Sequence, residues 1–248
     1  MTKSMAIVMA AGKGTRMKSD LPKVLIPVCG RPMIDYVLDT LELLGVGSVL
    51  VVVGYRAELV CQALAGRPRV AFVEQAQQLG TGHAVMMCRE HLEGYHGPVI
   101  VLAGDSPMMR RDSLAALLAE YERSRPACIV GTAAKEHPHG LGRIVRDAAG
   151  NFQAIVEEKD CTLAQRKITE VNLSCYLFNA PDLLFALDQI RAENAQREYY
   201  LTDCPGELQR HARRVLALQV LKPVEALSIN TVEELAVVEH AMRSQNTD

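Results

Sequence analysis

Short uninterrupted apolar runs alternate with amphipathic stretches through the first half of the chain. Met5 to Ala10 is apolar throughout and closes on Ala11-Gly12, the pattern of a strand buried on both faces. Arg31-Pro32 then opens an amphipathic helix, with Pro32 tolerated in its first turn. Met33, Val37, Leu38, Leu41 and Leu44 make the apolar stripe, and Gly45 and Gly47 end it. Ser48 to Val53 predicts a second buried strand, and a helix follows over about Arg56 to Leu64. A strand is expected over Val70 to Val73, a helix near Ala84 to His91, and a strand over Val99 to Ala103. The spacing predicts a helix over Asp112 to Arg123 and a strand over Ala127 to Thr132.

This alternation predicts a parallel sheet with helices on both faces. Such sheets bind ligands beyond the carboxyl ends of their strands, so the loops after Ala10, Val73 and Ala103 are the places to look. After about residue 140 the pattern changes. Arg143 to Asp147 and Phe152 to Glu157 flank Ala148-Ala149-Gly150 as a hairpin. Thr162-x-x-Gln165 and Thr231-x-x-Glu234 have the form of capping boxes, the second opening a last helix to about Arg243. Between them, Val171 to Phe178 reads as a strand and Pro181 to Arg191 as a helix. No repeat or linker interrupts the chain. The economical reading is one domain over 1–248, with 1–135, 136–228 and 229–248 as successive parts.

Composition narrows the partners. Of 248 residues 49 % are apolar, enough for a large core, and the net charge is −2. A balanced chain gives no support to nucleic-acid binding, so any phosphate chemistry must be local. No apolar run approaches the roughly 18 residues a membrane span needs, and the first residues lack a signal-peptide core; a cytoplasmic protein without a membrane partner is expected. The seven cysteines never form C-x-x-C and read as reduced, mostly buried thiols.

The chemistry concentrates after the first strand, in Ala10-Ala11-Gly12-Lys13-Gly14-Thr15-Arg16-Met17 and then Pro22-Lys23. Two glycines permit close backbone approach, exposed amides can cradle phosphate oxygens, and Lys13, Arg16 and Lys23 supply cations. The spacing fits neither the P-loop nor the dinucleotide fingerprint, which disfavours an NAD-dependent oxidoreductase. From the glycines alone, a turn with solvated cations stays open. His137 and His139, with no third ligand nearby, read as a solvated loop, and His83 is no better supported as a metal ligand.

Met9 to Met17 followed by Pro22-Lys23-Val24-Leu25 resembles the signature of nucleotidyltransferases that make sugar nucleotides. The resemblance is nearest to the uridyltransferase half of the bacterial bifunctional N-acetylglucosamine-1-phosphate uridyltransferase/glucosamine-1-phosphate acetyltransferases. It recurs in order at Gln75-x-x-Gln78-Leu79-Gly80-Thr81-Gly82-His83-Ala84, Gly104-Asp105, Gly140 to Ile144, Val156 to Asp160, Tyr199 to Asp203 and Asn230. It implies a Rossmann-like mixed, mainly parallel sheet with a sugar-binding hairpin region.

The resemblance also implies site roles. Ala10, Ala11, Gly12, Lys13 and Gly14 would hold the phosphates, with Arg16 and Lys23 as the catalytic cations. Gln75, Gln78, Gly80 and Thr81 would meet a uracil, whose N–H between two carbonyls a carboxamide can match. A polar loop with Thr81 as helix N-cap is the bland reading there. Asp105 and Asn230 would hold Mg²⁺ through hard oxygens, though Asp105 also reads as a turn residue and Asn230 as a neighbour of the capping box. Gly142, Glu157, Asn172, Tyr199 and Thr202 would bind the sugar. The partners implied are UTP and a sugar-1-phosphate, joined by in-line displacement of pyrophosphate without a protein nucleophile. Another sugar phosphate, dTTP, or a non-catalytic sensor of sugar nucleotides are the alternatives. The chain departs from the family in two ways. Leu173-Ser174 stands where relatives carry Thr-Gly after the asparagine, and the hexapeptide-repeat β-helix is absent, so neither an acetyl-CoA site nor the trimer that part builds is expected.

Overall fold

A computed structural model describes residues 3–14, 17, 19–227 and 229–245 of the chain. In order, its elements are β1 (Met5–Met9), the two-residue strands β2 (Pro27–Val28) and β3 (Arg31–Pro32), α1 (Met33–Leu44), β4 (Ser48–Val53) and α2 (Ala57–Leu64). Then come β5 (Val70–Glu74), α3 (Thr81–Met86), α4 (Arg89–Leu92), β6 (Pro98–Ala103), α5 (Arg111–Ser124) and β7 (Cys128–Ala134). The second half adds β8 (Gly142–Arg146), β9 (Phe152–Val156), β10 (Glu170–Asn179), α6 (Ala180–Gln189), α7 (Asp203–Arg210), β11 (Val215–Leu218) and α8 (Val232–Gln245).

One mixed sheet runs β11-β7-β10-β6-β1-β4-β5, and β8 and β9 branch from β10. The strands β6, β1, β4 and β5 are parallel, as the apolar runs predict. Their side chains alternate between two cores. Ala6, Val8 and Ala10 point to the face covered by α1, α2 and α5, while Ile7 and Ala11 join the core under α3, α6 and α7. Burial on both faces is why these strands read as continuous rather than alternating apolar runs.

The decisive element is β10. It lies antiparallel between β6 and β7 and carries a register shift between Asn172 and Tyr176. A reversed strand brings its first residues to the edge where its parallel neighbours end. Ser174 thereby comes beside the carboxyl end of β6, and Asn172 pairs with Thr132 near that of β7.

A third cluster, Met17, Ile26, Val28, Met33, Met108, Ile229 and Val238, docks α8 against the β2–β3 hairpin. The Cys29 amide donates to Glu239 Oε1 at 2.8 Å, fixing the same contact. At the start of α8 the Glu234 amide donates to Thr231 Oγ1 at 3.2 Å and the Asn230 amide to Glu234 Oε2 at 2.6 Å. The expected capping box thus holds the chain segment that carries Asn230. Thr162 and Gln165 also bond reciprocally, but they open only a single 3-10 turn over Gln165–Lys167.

The structure corrects one expected element and adds two. The single helix near Ala84 to His91 is two, α3 and α4; α3 already starts at Thr81, and an i−3 bond from the Cys88 amide to the Val85 carbonyl tightens the turn between them. The helix α7 was not expected, because Pro205-Gly206 reads as punctuation; Pro205 sits in the first turn, where its missing N–H leaves no helical bond unmade. The edge strand β11 is only four residues long and also went unread.

No helix among the described residues is long and apolar enough to cross a membrane. All seven cysteines are free thiols, five of them buried; burial pushes Cys88 up to about 12.

Candidate active site

The loop after β1 is shaped by its glycines. Gly14 has φ +64°, and a Cβ there would lie 2.6 Å from Lys23 Cβ, so only glycine lets the loop fold over Lys23. Lys23 is thereby pressed toward the carboxyl edge. Its ammonium pairs with the Asp105 carboxylate and donates to Asn230 Oδ1 at 2.8 Å. The three residues come from the 3-10 turn Lys23–Leu25 before β2, the end of β6 and the segment before α8. Lys23 is 82 positions from Asp105 and 207 from Asn230.

Beside this junction lies a cavity of about 380 Å³. Of the residues expected to take part, Ala10, Ala11, Gly12, Lys23, Gln75, Gln78, Gly80, Thr81 and Asp105 line it. Lys13 does not; its ammonium stands 5.3 Å from the centre of the Tyr55 ring. Arg16 lies outside the described residues.

The loop after β5 forms the opposite wall. Gln75 is buried, and its amide nitrogen donates to the Gly80 carbonyl and meets His83 Nδ1, each at 3.0 Å. Gln78 Nε2 donates to the Gln75 carbonyl at 3.0 Å. Gly80, at φ +112°, packs so close to Tyr199 that a Cβ would fall 2.5 Å from its carbonyl oxygen. The expected N-cap role of Thr81 is not seen: Gly80 precedes α3 as its cap, and the Thr81 hydroxyl accepts from the Leu201 amide at 3.0 Å. Together with the Tyr199 amide bond to the Leu79 carbonyl, 2.8 Å, this stitches the base-side loop to the segment before α7.

The sugar-side candidates form a second group. Asn172 pairs with Gly142 across β10 and β8, and a Cβ on Gly142 would sit 3.6 Å from both Asn172 Cβ and Glu157 Oε1. The Asn172 amide is locked, accepting from the Ser174 amide at 3.2 Å and donating to Tyr176 Oη at 2.7 Å. Burial pushes the Glu157 carboxyl above its usual range, and the nearby Thr202 hydroxyl only partly offsets this. That hydroxyl is buried beside the Glu157 carboxyl. None of these five residues lines the first cavity; Glu157 lines another of about 400 Å³, with Asp203 and Arg210. Tyr199 stands beside His83, with ring centres 6.4 Å apart.

The sequence reading missed Ser174 and Glu198 as lining residues of the first cavity. Ser174 carried one signal, its departure from the family pattern; Glu198 carried none. His139 is exposed and 3.5 Å from Glu158, and among the described residues no group of three or more His, Cys, Asp or Glu could hold a metal.

A cavity lined by the glycine loop and by Lys23 and Asp105, at the carboxyl edge of a mainly parallel sheet, is where an open α/β protein takes its ligand. Within that class the chain belongs to the MobA-like NTP transferase domain family, whose model matches residues 6–175. It is 44 % identical over 238 residues to the bifunctional protein GlmU of Pelotomaculum thermopropionicum, a match covering 96 % of this chain and 52 % of the relative. With the GlmU of Listeria monocytogenes it shares 40 % identity over 243 residues, covering 98 % and 53 %. The chain spans about half the length of the curated relatives it matches. Among solved structures, UDP-glucose pyrophosphorylase complexed with UDP-glucose has a TM-score of 0.79 at 18 % identity, over 98 % of this chain and 100 % of that one. The apo form of UDP-glucose pyrophosphorylase gives 0.77 at 17 %, over 99 % and 100 %. At such identity the likeness is one of fold.

Proposed function

We propose that the chain transfers a uridylyl group from UTP to N-acetylglucosamine-1-phosphate, giving UDP-N-acetylglucosamine and pyrophosphate. The observation that carries this reading is the junction of Lys23, Asp105 and Asn230 beside the glycine-loop cavity. Three chain-distant polar groups gathered at a cavity mouth point to a ligand with concentrated charge. The family and the bifunctional relatives support a nucleoside triphosphate as that ligand.

In this reading the backbone of Ala10 to Gly14 cradles the phosphates, while Lys13 turns from Tyr55 toward the β/γ end. Gln75, Gln78, Gly80 and Thr81 read the uracil edge. Gly142, Glu157, Asn172, Tyr199 and Thr202 hold the acceptor sugar. A phosphate oxygen of the acceptor attacks the α-phosphorus, a P–O bond forms, and the bond to pyrophosphate breaks. The acceptor phosphate is already ionised at neutral pH, so no protein base is required. Lys23 stabilises the charge that develops, with Arg16 as its partner from the signature loop.

Asp105 and Asn230 would hold Mg²⁺. The donor set fits: one carboxylate and one amide oxygen share a single cationic group, the Lys23 ammonium, and magnesium takes such oxygens while keeping several waters. When bound, the ion supplies charge neutralisation and orientation of the phosphates.

The test is pyrophosphate release with each of four nucleotides against three sugar-1-phosphates. Turnover restricted to UTP with N-acetylglucosamine-1-phosphate is expected. Turnover only with glucose-1-phosphate or dTTP would move the substrate assignment, and tight product binding without turnover would make the chain a sensor. Leu173-Ser174 is the feature that favours a shifted acceptor preference.

A further inference from the structure

We infer that Ser174 is a specificity-determining residue that contacts the acceptor sugar phosphate where it meets the nucleotide. The inference rests on the reaction proposed above. Ser174 lies in the left-handed region, φ +53°, at the register shift that interrupts the pairing of β10 with β7. A non-glycine residue there is strained, and strain of this kind persists where the surroundings and function over-determine it. Glycine would serve the backbone better. The chain nevertheless presents a hydroxymethyl group there.

The position explains what that group can do. Cys175 pairs with Leu102, which places Ser174 beside Ala103 at the end of β6, two residues before Asp105. Ser174 lines the same cavity as Gly12, Lys23 and Asp105. Its own amide donates to Asn172 Oδ1, so the strained residue also orients the sugar-side asparagine. Ser174 therefore stands at the seam between the phosphate junction and the sugar group. A hydroxyl there both donates and accepts, and it takes up room that glycine would leave open. The matching chemistry is a sugar-1-phosphate at its anomeric end, where ring substituents and phosphate oxygens are both within reach of one side chain.

Two variants separate the hydroxyl from the strain. Ser174→Ala keeps a side chain in the left-handed conformation and removes only the hydroxyl. Ser174→Gly removes both and keeps the amide bond to Asn172. For each, KM and kcat are measured for the nucleotide and the sugar phosphate separately, with Tm alongside. We expect both variants to lower kcat/KM for the sugar phosphate about three- to tenfold, the scale of one neutral hydrogen bond, with KM for the nucleotide unchanged. Ser174→Gly should also raise Tm by about 2–4 °C. If Ser174→Ala keeps kcat/KM for the sugar phosphate within twofold of the parent, the inference is overturned while the proposed reaction stands. A parent without turnover on any substrate pair removes the reaction and, with it, the inference.

Discussion

At the scale of single residues, the site is built by side chains that have little local reason to be where they are. Lys23 gives up solvent for Asp105 and Asn230, with its own side chain only 13 % exposed. Asp105→Asn should lower kcat about a hundredfold, the scale of a lost preorganised charge contact, as read by pyrophosphate release; a loss under threefold would remove Asp105 from the chemistry. Gly14→Ala should cost about 1–3 kcal/mol of stability by thermal denaturation and raise KM for UTP, because the added Cβ collides with Lys23. Asp203 behaves differently. Burial, reinforced by Glu207, Glu157 and Asp160 and opposed by Arg210, raises its carboxyl to about 6 from 3.8. The folded protein then binds an extra proton between those values, so parent stability falls as pH rises from about 4 through about 6. Asp203→Asn should be more stable than the parent by on the order of 1 kcal/mol at pH 8, and the gap should close below pH 4 in urea titrations.

At the scale of elements, α8 works as a clamp. Ile229 is fully buried against the β2–β3 hairpin, next to Asn230, and Glu239 ties the helix to Cys29. Ile229→Ala should cost about 2–5 kcal/mol in the docking of α8 and lower kcat by loosening Asn230, which hydrogen exchange of the helix amides would register as faster opening. Most elements were readable before the fold was known. The strand Ser48–Val53 and the helix ending at Leu44 match their apolar patterns closely, because burial on both faces or along one stripe writes itself into composition. The capping boxes at Thr162 and Thr231 were legible for the same local reason. The helix α7 was not, since Pro205 and Gly206 look like breakers until their place in the first turn is known.

At the scale of the whole molecule, the cavity belongs to the sheet edge, and its occupation should be felt by the entire fold. UTP with Mg²⁺ at a hundredfold excess over Kd should stabilise the protein by about 2.7 kcal/mol, and chelation by EDTA should reverse most of the Tm rise and abolish turnover. A Tm indifferent to both would separate the cavity from nucleotide binding. The local elements, the glycine loop, the buried runs and the ordered motifs were decided by the sequence alone, because turn chemistry and burial periodicity act over a few residues. Which strands lie side by side was decided only by tertiary structure. Nothing in Val171 to Phe178 says that β10 runs backwards between β6 and β7, yet that reversal sets Ser174 beside the end of β6 and Asn172 against β7 and β8. Strand pairing and the meeting of Lys23 with Asn230 are contacts across long loops, chosen by how the two cores close on the sheet, and no local pattern carries that choice.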